Sequence, residues 1–295
     1  MLYQQIARNK RKSIFMMIIF VIILTLVGAG FGYMFDNEPV MGIGIALVGS
    51  LIYLFIVMQN PANMVMSLNH AQEIHEADNP ELWHIIEDMA MVGKVPIPRV
   101  FIIPDPSPNA FATGRDPEHS AVAVTQGLLD MMNREELEGV LGHEISHIRN
   151  YDIRLSTIAV VLVGVISFLS GIASRMIWFG GDRSSDDDRD SNAIEMIFKL
   201  VAILFVLVLG PLSATLAQMA LSRNREYLAD ASSVELTRNP QGLISALHKI
   251  EGSQPMKQAD HSSSGMYIEN PFQKSGSLFD THPPTADRIA RLEKM

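Results

Sequence analysis

Four long apolar stretches dominate the pattern of hydrophobic and polar positions along this chain. They occupy residues 13–35, 40–58, 156–180 and 193–221. About 20 apolar residues are enough for a helix to cross the hydrocarbon core of a bilayer. The pattern therefore predicts an integral membrane protein with about four transmembrane helices, of which the first two form a hairpin. For the last two stretches, buried helices of a soluble domain are the alternative, and for the first, a cleaved signal peptide.

Charged residues beside the first stretch predict how the protein is oriented. Basic residues precede it, and the short turn behind it carries Asp36 and Glu38. Because basic residues favour the cytoplasmic side of a membrane, we expect the N-terminus and the region after residue 59 in the cytoplasm. The acidic connector 182–190 would then lie outside. The prediction is a multi-pass protein of the plasma membrane whose catalytic side faces the cytoplasm.

The more polar regions show mixed helix and strand patterns. Helical periodicity covers 80–92, and strand-like runs follow at 99–103, 109–113 and 121–125. The segment 252–280, rich in Ser and Gly, is predicted to be a mobile loop, and a short helix is expected at 285–294. The predicted fold class is α+β and predominantly helical, with a small β-sheet in a cytosolic domain. The predicted regions are 1–58, 59–155, 156–221 and 222–295.

Composition narrows the possible chemistry. Hydrophobic residues make up 48% of the chain and the mean hydropathy is +0.18, as expected if part of the chain lies in lipid. The chain has no cysteine, which excludes disulfides, thiolate metal sites and cysteine nucleophiles. Its net charge of -9 argues against a nucleic-acid partner, because phosphate recognition needs clustered Lys and Arg. Any metal site must therefore use His and carboxylates.

One motif carries candidate catalytic chemistry. His143, Glu144 and His147 form an HExxH sequence. On a helix this spacing places both imidazoles on one face, close enough to share a cation. Asn133, with Glu136 three residues later, is a capping-box pair that predicts where this helix begins.

Glu144 falls inside the apolar stripe of the predicted helix. Leu137 and Leu141 precede it, and Ile148 follows it, at helical spacing. Because burial of an unpaired carboxylate is costly, a structural role explains this position badly. A general base beside a cationic metal explains it well, and Glu144 is therefore the predicted catalytic residue.

Two histidines leave a catalytic zinc site incomplete, since such a site usually has three protein ligands. A third histidine six residues after His147 is excluded, because that position is Ile153. A glutamate from a separate helix is the remaining common solution. We therefore predict that Glu226 binds one Zn²⁺ per chain and that Asp230, one turn later, orients a ligand histidine.

A solvated helix face, paired with neighbouring arginines, is the alternative for Glu226 and Asp230. Membrane topology favours the metal site. Two predicted spans separate His147 from Glu226, so both residues emerge on the same side of the membrane.

The chain resembles the HtpX family of membrane zinc endopeptidases, relatives of the CAAX prenyl proteases, over nearly its whole length. The resemblance rests on the N-terminal hairpin, the segments 109–114 and 222–230, the HExxH helix and His282 before Pro283. It implies a zincin-like cytosolic domain that cleaves misfolded or damaged membrane proteins in quality control. It also implies that a strand in the 109–114 segment borders the cleft and pairs with an extended substrate. The substrate-binding residues of this strand would be Asn109, Ala110, Phe111 and Ala112.

The resemblance suggests roles for three further residues. His282 would help to stabilise the oxyanion, although by spacing alone it is one loop histidine among several. Asn150 and Asp152 would support a metal ligand, with termination of the helix as the alternative.

The expected function is zinc-dependent endoproteolysis of membrane-protein or unfolded polypeptide substrates at the lipid bilayer. Two alternatives stay open: a catalytically silent membrane adaptor with a structural zinc, and a CAAX-type prenyl protease, which should have more membrane spans. The sequence predicts no nucleic-acid partner and does not specify an oligomeric state.

Overall fold

A computed structural model describes residues 2–36, 38–179, 222–272 and 283–295. Labels below number the helices and strands of these residues in chain order. The protein is predominantly helical with one small mixed sheet, which confirms the predicted α+β class. The fourth predicted span, the acidic connector and His282 lie outside the described residues.

The first two apolar stretches form a helical hairpin of α1, Leu2–Asp36, and α2, Pro39–Gln59. Large apolar side chains such as Ile18 and Phe55 are exposed, as expected for a surface that faces lipid. The helices approach closely at glycines. A Cβ atom on Gly42 would overlap the carbonyl oxygen of Gly28, so backbone packs on backbone at this crossing.

A third apolar helix packs against the hairpin. This helix, α7, covers Asp152–Phe179, and its first 20 residues are apolar enough to cross a membrane. With α1 and α2 it makes three candidate spans among the described residues. Leu155, Ile158 and Leu162 of α7 share a buried cluster with Met16 and Phe20 of α1.

Four strands form the sheet, in the spatial order β1-β2-β4-β3. They cover Gln72–Ile74, Arg99–Ile103, Ala110–Gly114 and Ser120–Thr125. Strands β2 and β4 are parallel, whereas β1 and β3 pair antiparallel with their neighbours, and β3 lies at an edge. The three longer strands match the sequence patterns within one residue. The three residues of β1 are too few to show a periodicity.

Both faces of the sheet are covered. Val100, Ala112 and Val122 join a core cluster with the helices Pro80–Gly93 and Arg134–Arg149. Phe101 and Phe111 join a second cluster with the helix Pro61–Leu68, α7 and the C-terminal segment. Alternate residues of a strand point to opposite faces. Burial on both sides explains why these strands are apolar almost throughout.

The remaining helices are mostly short. They are α3, Pro61–Leu68; α4, Pro80–Gly93; α5, Gln126–Met131; α6, Arg134–Arg149; α8, Arg223–Thr237; α9, Pro240–Ile250; and α10, Thr285–Leu292. The predicted capping box begins α6: Asn133 Oδ1 accepts from the Glu136 N–H at 3.0 Å, and Glu136 Oε2 accepts from the Asn133 N–H at 2.9 Å.

The structure describes residues 252–272 of the C-terminal segment for which the sequence predicts a mobile loop. A short 3₁₀ helix covers His261–Met266. Tyr267 is fully buried, its ring lies edge-on to Phe111 at 4.9 Å, and its hydroxyl donates to Asn69 at 2.9 Å. The segment is polar on average, and this composition does not show that a few apolar residues pack against the sheet.

Candidate metal centre

Three potential ligand atoms converge between α6 and α8. The Nε2 atoms of His143 and His147 lie 3.2 Å apart. Glu226 Oε2 lies 3.5 Å from His143 Nε2, and Glu226 Oε1 lies 3.6 Å from His147 Nε2. The structure therefore brings together the three residues that the sequence predicts as metal ligands.

Close packing of α6 on α8 sets this convergence. Ser233 of α8 donates a hydrogen bond to the carbonyl of Gly139 at 2.6 Å. Its hydroxyl would also lie 2.9 Å from a Cβ atom added at Gly142, so a larger residue there would push the helices apart. Small residues on α6 thus allow Glu226 to reach the two histidines.

The three residues fit a bound cation in both spacing and chemistry. Their ligand atoms all lie within 4.8 Å of one another. Ligands of one tetrahedral zinc ion, at about 2.1 Å from the metal, stand about 3.4 Å apart. Two imidazole nitrogens and one carboxylate oxygen also form a common ligand set for divalent transition metals.

Asp230 lies directly behind His143. Its Oδ1 lies 3.0 Å from His143 Nδ1, so that ring nitrogen can donate to the carboxylate while Nε2 faces Glu226. Burial lowers the pKa of His143, but the hydrogen bonds to Asp230 and Glu226 outweigh burial and raise it to about 9. The surrounding carboxylates thus favour a positive charge at the position where the ligand atoms meet.

Arg288 also belongs to this centre, although the sequence patterns did not predict it. It is fully buried and holds Asp230 through two hydrogen bonds, Nε to Oδ2 at 3.0 Å and Nη2 to Oδ1 at 2.7 Å. Burial raises the pKa of Asp230, but Arg288 and His143 lower it further, to about 2. Helical periodicity could have indicated that Arg288 is buried, because it shares the inner face of α10 with Thr285, Ile289 and Leu292.

Glu144 is buried beside the ligands, as its place in the apolar stripe predicts. Only 1% of it is exposed, and neither carboxylate oxygen has a hydrogen-bond partner of good geometry among the described residues. The pKa of Glu144 is raised overall, chiefly by burial, and Glu226 raises it as well. His143, His147 and the Ala112 N–H lower it, but by less. An anionic Glu144 at this position needs a nearby cation or a hydrogen-bond donor.

Asn150 and Asp152, which follow the HExxH motif by three and five residues, differ in their contacts. Asp152 Oδ2 lies 3.3 Å from His147 Nδ1, which places Asp152 behind His147 much as Asp230 stands behind His143. Asn150 caps the end of α6, and its buried Nδ2 has no hydrogen-bond partner among the described residues. The structure thus places Asp152, but not Asn150, against one of the predicted metal ligands.

The predicted substrate strand corresponds to β3 and the residue before it. Ala110 and Ala112 face α6, whereas Phe111 packs on the opposite face of the sheet. Asn109 is buried just ahead of β3 and donates from Nδ2 to the Glu269 carbonyl at 2.9 Å. The edge strand therefore lies alongside the helix that carries the HExxH motif.

Among the described residues, three apolar helices, an HExxH helix and a converging His-His-Glu set are the features expected of a membrane metalloprotease. The family model of peptidase family M48 matches residues 76–295. The chain belongs to peptidase family M48.

Relatives at high identity agree with this assignment. The chain is 81% identical to a protease HtpX homolog of Lactobacillus helveticus and 80% identical to one of Lactobacillus acidophilus, over the full length of both proteins. It is 62% identical to a protease HtpX homolog of Ligilactobacillus salivarius, again over both full lengths. These matches confirm the resemblance to the HtpX family.

Among solved structures, the chain is similar to Ste24p of S. mikatae. The sequences are 20% identical, the TM-score is 0.49, and the match covers 92% of this chain and 66% of that chain.

Proposed function

We propose that this protease uses one zinc ion per chain, held by His143, His147 and Glu226, with Glu144 as the general base of peptide-bond hydrolysis. The observation that carries the proposal is the convergence of three ligand atoms beside a buried carboxylate. Two histidines and one glutamate form a ligand set typical of catalytic zinc, which keeps a position open for water.

When bound, the cation would polarise a peptide carbonyl and lower the pKa of a water molecule. Glu144 would accept a proton from the attacking water and return it to the leaving amine. Asp230 and Asp152 keep the Nε2 atoms of the two histidines directed at the centre by accepting from their Nδ1 atoms. Arg288 holds Asp230 in that position.

Strand β3 supplies a backbone edge for an extended substrate. The Ala110 carbonyl accepts from the Ile268 N–H at 2.9 Å, and the Gly114 N–H donates to Thr157 at 2.9 Å, so these two residues point their backbone groups away from β4. Ala112, midway between them, therefore also points outward, beside Glu144. We propose that a peptide pairs here and places its scissile bond next to Glu144.

The position of the centre favours substrates at the membrane surface. Asp152, which supports His147, is the first residue of the membrane helix α7. Basic residues at the start of α1 favour the cytoplasmic side of the plasma membrane for this end of the hairpin: Arg8, Lys10, Arg11 and Lys12. We propose that misfolded or damaged membrane proteins are cleaved in their cytoplasmic segments.

Metal removal and replacement test the zinc assignment. Protein purified in detergent is stripped with a chelator and titrated with zinc while cleavage of an unfolded casein-like substrate is followed. Activity that returns fully at one zinc per chain supports the proposal. Binding of zinc without any cleavage would favour the adaptor alternative instead.

The substrate class has its own test in reconstituted bilayers. A misfolded multispan protein and its detached cytoplasmic segment are offered at equal concentration. Preferential cleavage of the membrane-bound form supports the proposal, and equal rates would contradict it.

A further inference from the structure

The N-terminal end of α1 contacts Asp152, the residue that lies behind the proposed metal ligand His147. Asn9 of α1 donates from Nδ2 to Asp152 Oδ1 at 2.8 Å, across 143 residues of sequence. The other oxygen of Asp152 lies 3.3 Å from His147 Nδ1. A single carboxylate thus connects a membrane helix to the imidazole that faces the centre.

Asn9 is buried although it stands within the basic start of α1. Only 5% of it is exposed. It begins a stripe that continues at helical spacing through Ser13, Met16 and Phe20, all of which are buried. Met16 and Phe20 pack on α7, so the same docking brings Asn9 to the first residue of α7.

A buried asparagine at the end of an apolar stripe requires a specific partner, because an unpaired amide in such a place is costly. Asp152 supplies that partner and is itself 7% exposed. Its Oδ1 also lies 3.6 Å from Nη1 of Arg225, the residue before Glu226. The carboxylate is thereby held between α1, α6 and α8.

A second contact shows that α1 touches this turn at two points. Lys10 lies over the ring of Tyr151 at 5.3 Å from its centroid. Tyr151 has a φ of 58°, a left-handed conformation that ends α6 and starts α7. The turn that follows His147 is therefore clamped by consecutive residues of the first membrane helix.

We propose that Asn9 is a positioning residue of the metal centre, which acts through Asp152 to hold the His147 imidazole in its ligand orientation. The proposal rests on the proposed role of His147 as a metal ligand. Docking of the first membrane helix then contributes directly to metal retention and turnover, in addition to anchoring the protein.

The test measures zinc release into excess chelator, together with kcat and KM, on the full-length protein in detergent. Asn9→Ala should speed zinc release and lower kcat by about three- to tenfold, less than the roughly 10–100-fold typical of a residue that bonds a metal ligand directly. KM should change little, because Asn9 does not line the edge strand. Ser13→Ala is the matched control, since Ser13 is buried one turn later and, among the described residues, its hydroxyl bonds only the Asn9 carbonyl of its own helix.

A double-mutant cycle with Asp152→Ala separates positioning from general destabilisation. If Asn9 acts through Asp152, Asn9→Ala has no further effect on zinc release or kcat in the Asp152→Ala background. An equal effect in both backgrounds would overturn the proposal, as would an Asn9→Ala protein that matches Ser13→Ala. Should Asn9→Ala fail to fold, Asn9→Ser replaces it in the same cycle, because its hydroxyl is too short to reach Asp152.

His147→Ala distinguishes failure of this proposal from failure of the metal site. If His147→Ala loses zinc while Asn9→Ala behaves as the control, only the role of Asn9 is wrong. If His147→Ala retains zinc, the ligand assignment itself is wrong.

Discussion

Arg288 and Asp230 form a two-point ion pair directly behind His143, with contacts of 3.0 and 2.7 Å between side chains that are almost completely buried. Asp230 in turn lies 3.0 Å from His143 Nδ1. A guanidinium, a carboxylate and an imidazole therefore stand in line behind the proposed metal. This arrangement fixes the direction in which His143 presents its other nitrogen.

Arg288→Ala should destabilise the protein strongly. It leaves the Asp230 carboxylate buried without its main partner, and breaking such a pair typically costs about 3–5 kcal/mol. Thermal and denaturant unfolding in one detergent measure the effect, with zinc content as a second readout. Arg291→Ala is the control on the same helix, because Arg291 makes a cation–π contact with Tyr227, worth about 0.5–1 kcal/mol at an exposed site. Equal losses for the two variants would contradict a special role for Arg288.

The sequence predicted much of the site because its signals are local. The HExxH spacing and the apolar stripe around Glu144 are properties of a single helix. Glu226 was predicted by a different route: two histidines leave a zinc site incomplete, and the even number of predicted membrane crossings between His147 and Glu226 favoured this glutamate as the third ligand. Each prediction needed only the neighbourhood of a motif or the order of the spans.

The roles of Arg288 and Asn9 were not predicted, because their partners lie far away in sequence, at separations of 58 and 143 residues. Helical periodicity shows that Arg288 falls on an apolar face, and the same reasoning that singled out Glu144 applies to it. Periodicity does not show which carboxylate Arg288 meets. That information arises only when α8, α10 and the membrane helices pack together.

Short elements and irregular segments were not predicted from the sequence for a different reason. Helix α3 and strand β1 have too few residues to show a period. The segment before residue 273 has a polar composition, yet Tyr267 and Ile268 anchor it in the core. Composition averages over a segment, whereas packing depends on individual side chains.

Gly42→Ala should disturb the membrane hairpin. A Cβ atom at this position would overlap the Gly28 carbonyl oxygen, so the helices must separate. Overpacking of this kind typically costs about 1–3 kcal/mol. The thermal unfolding midpoint in detergent should fall. Gly44→Ala is the matched control on the same helix, because a Cβ atom there meets no atom of the described residues within 4 Å. A midpoint equally low for both would show that the close crossing does not matter.

Glu136 should give the protein a component of stability that depends on pH. Burial raises its pKa, but hydrogen bonds from Lys249, Ser245 and the Asn133 N–H together outweigh burial and lower it. A carboxyl whose pKa is lower in the folded state stabilises the protein fully above its unfolded pKa, about 4.3. That contribution disappears as the pH falls through the lower, folded pKa.

The comparison of wild type with Glu136→Gln measures this contribution through unfolding midpoints at several pH values. The wild type should be more stable at neutral pH, and the difference should shrink as the pH falls below about 4.3. A difference that is constant over this range would show that the ionised carboxylate is not the stabilising form.

We propose that the buried Glu144 acts as the base beside a bound metal. The most direct measurement determines bound zinc and cleavage rate together for wild type, Glu144→Gln and Glu138→Gln. Glu138 is the matched control, since it lies on the same helix and pairs with Arg134. We expect equal zinc in all three proteins, full cleavage by Glu138→Gln, and a loss of cleavage rate of roughly 100- to 10,000-fold for Glu144→Gln. A Glu144→Gln protein that binds zinc and cleaves at the wild-type rate would show that Glu144 is not the base.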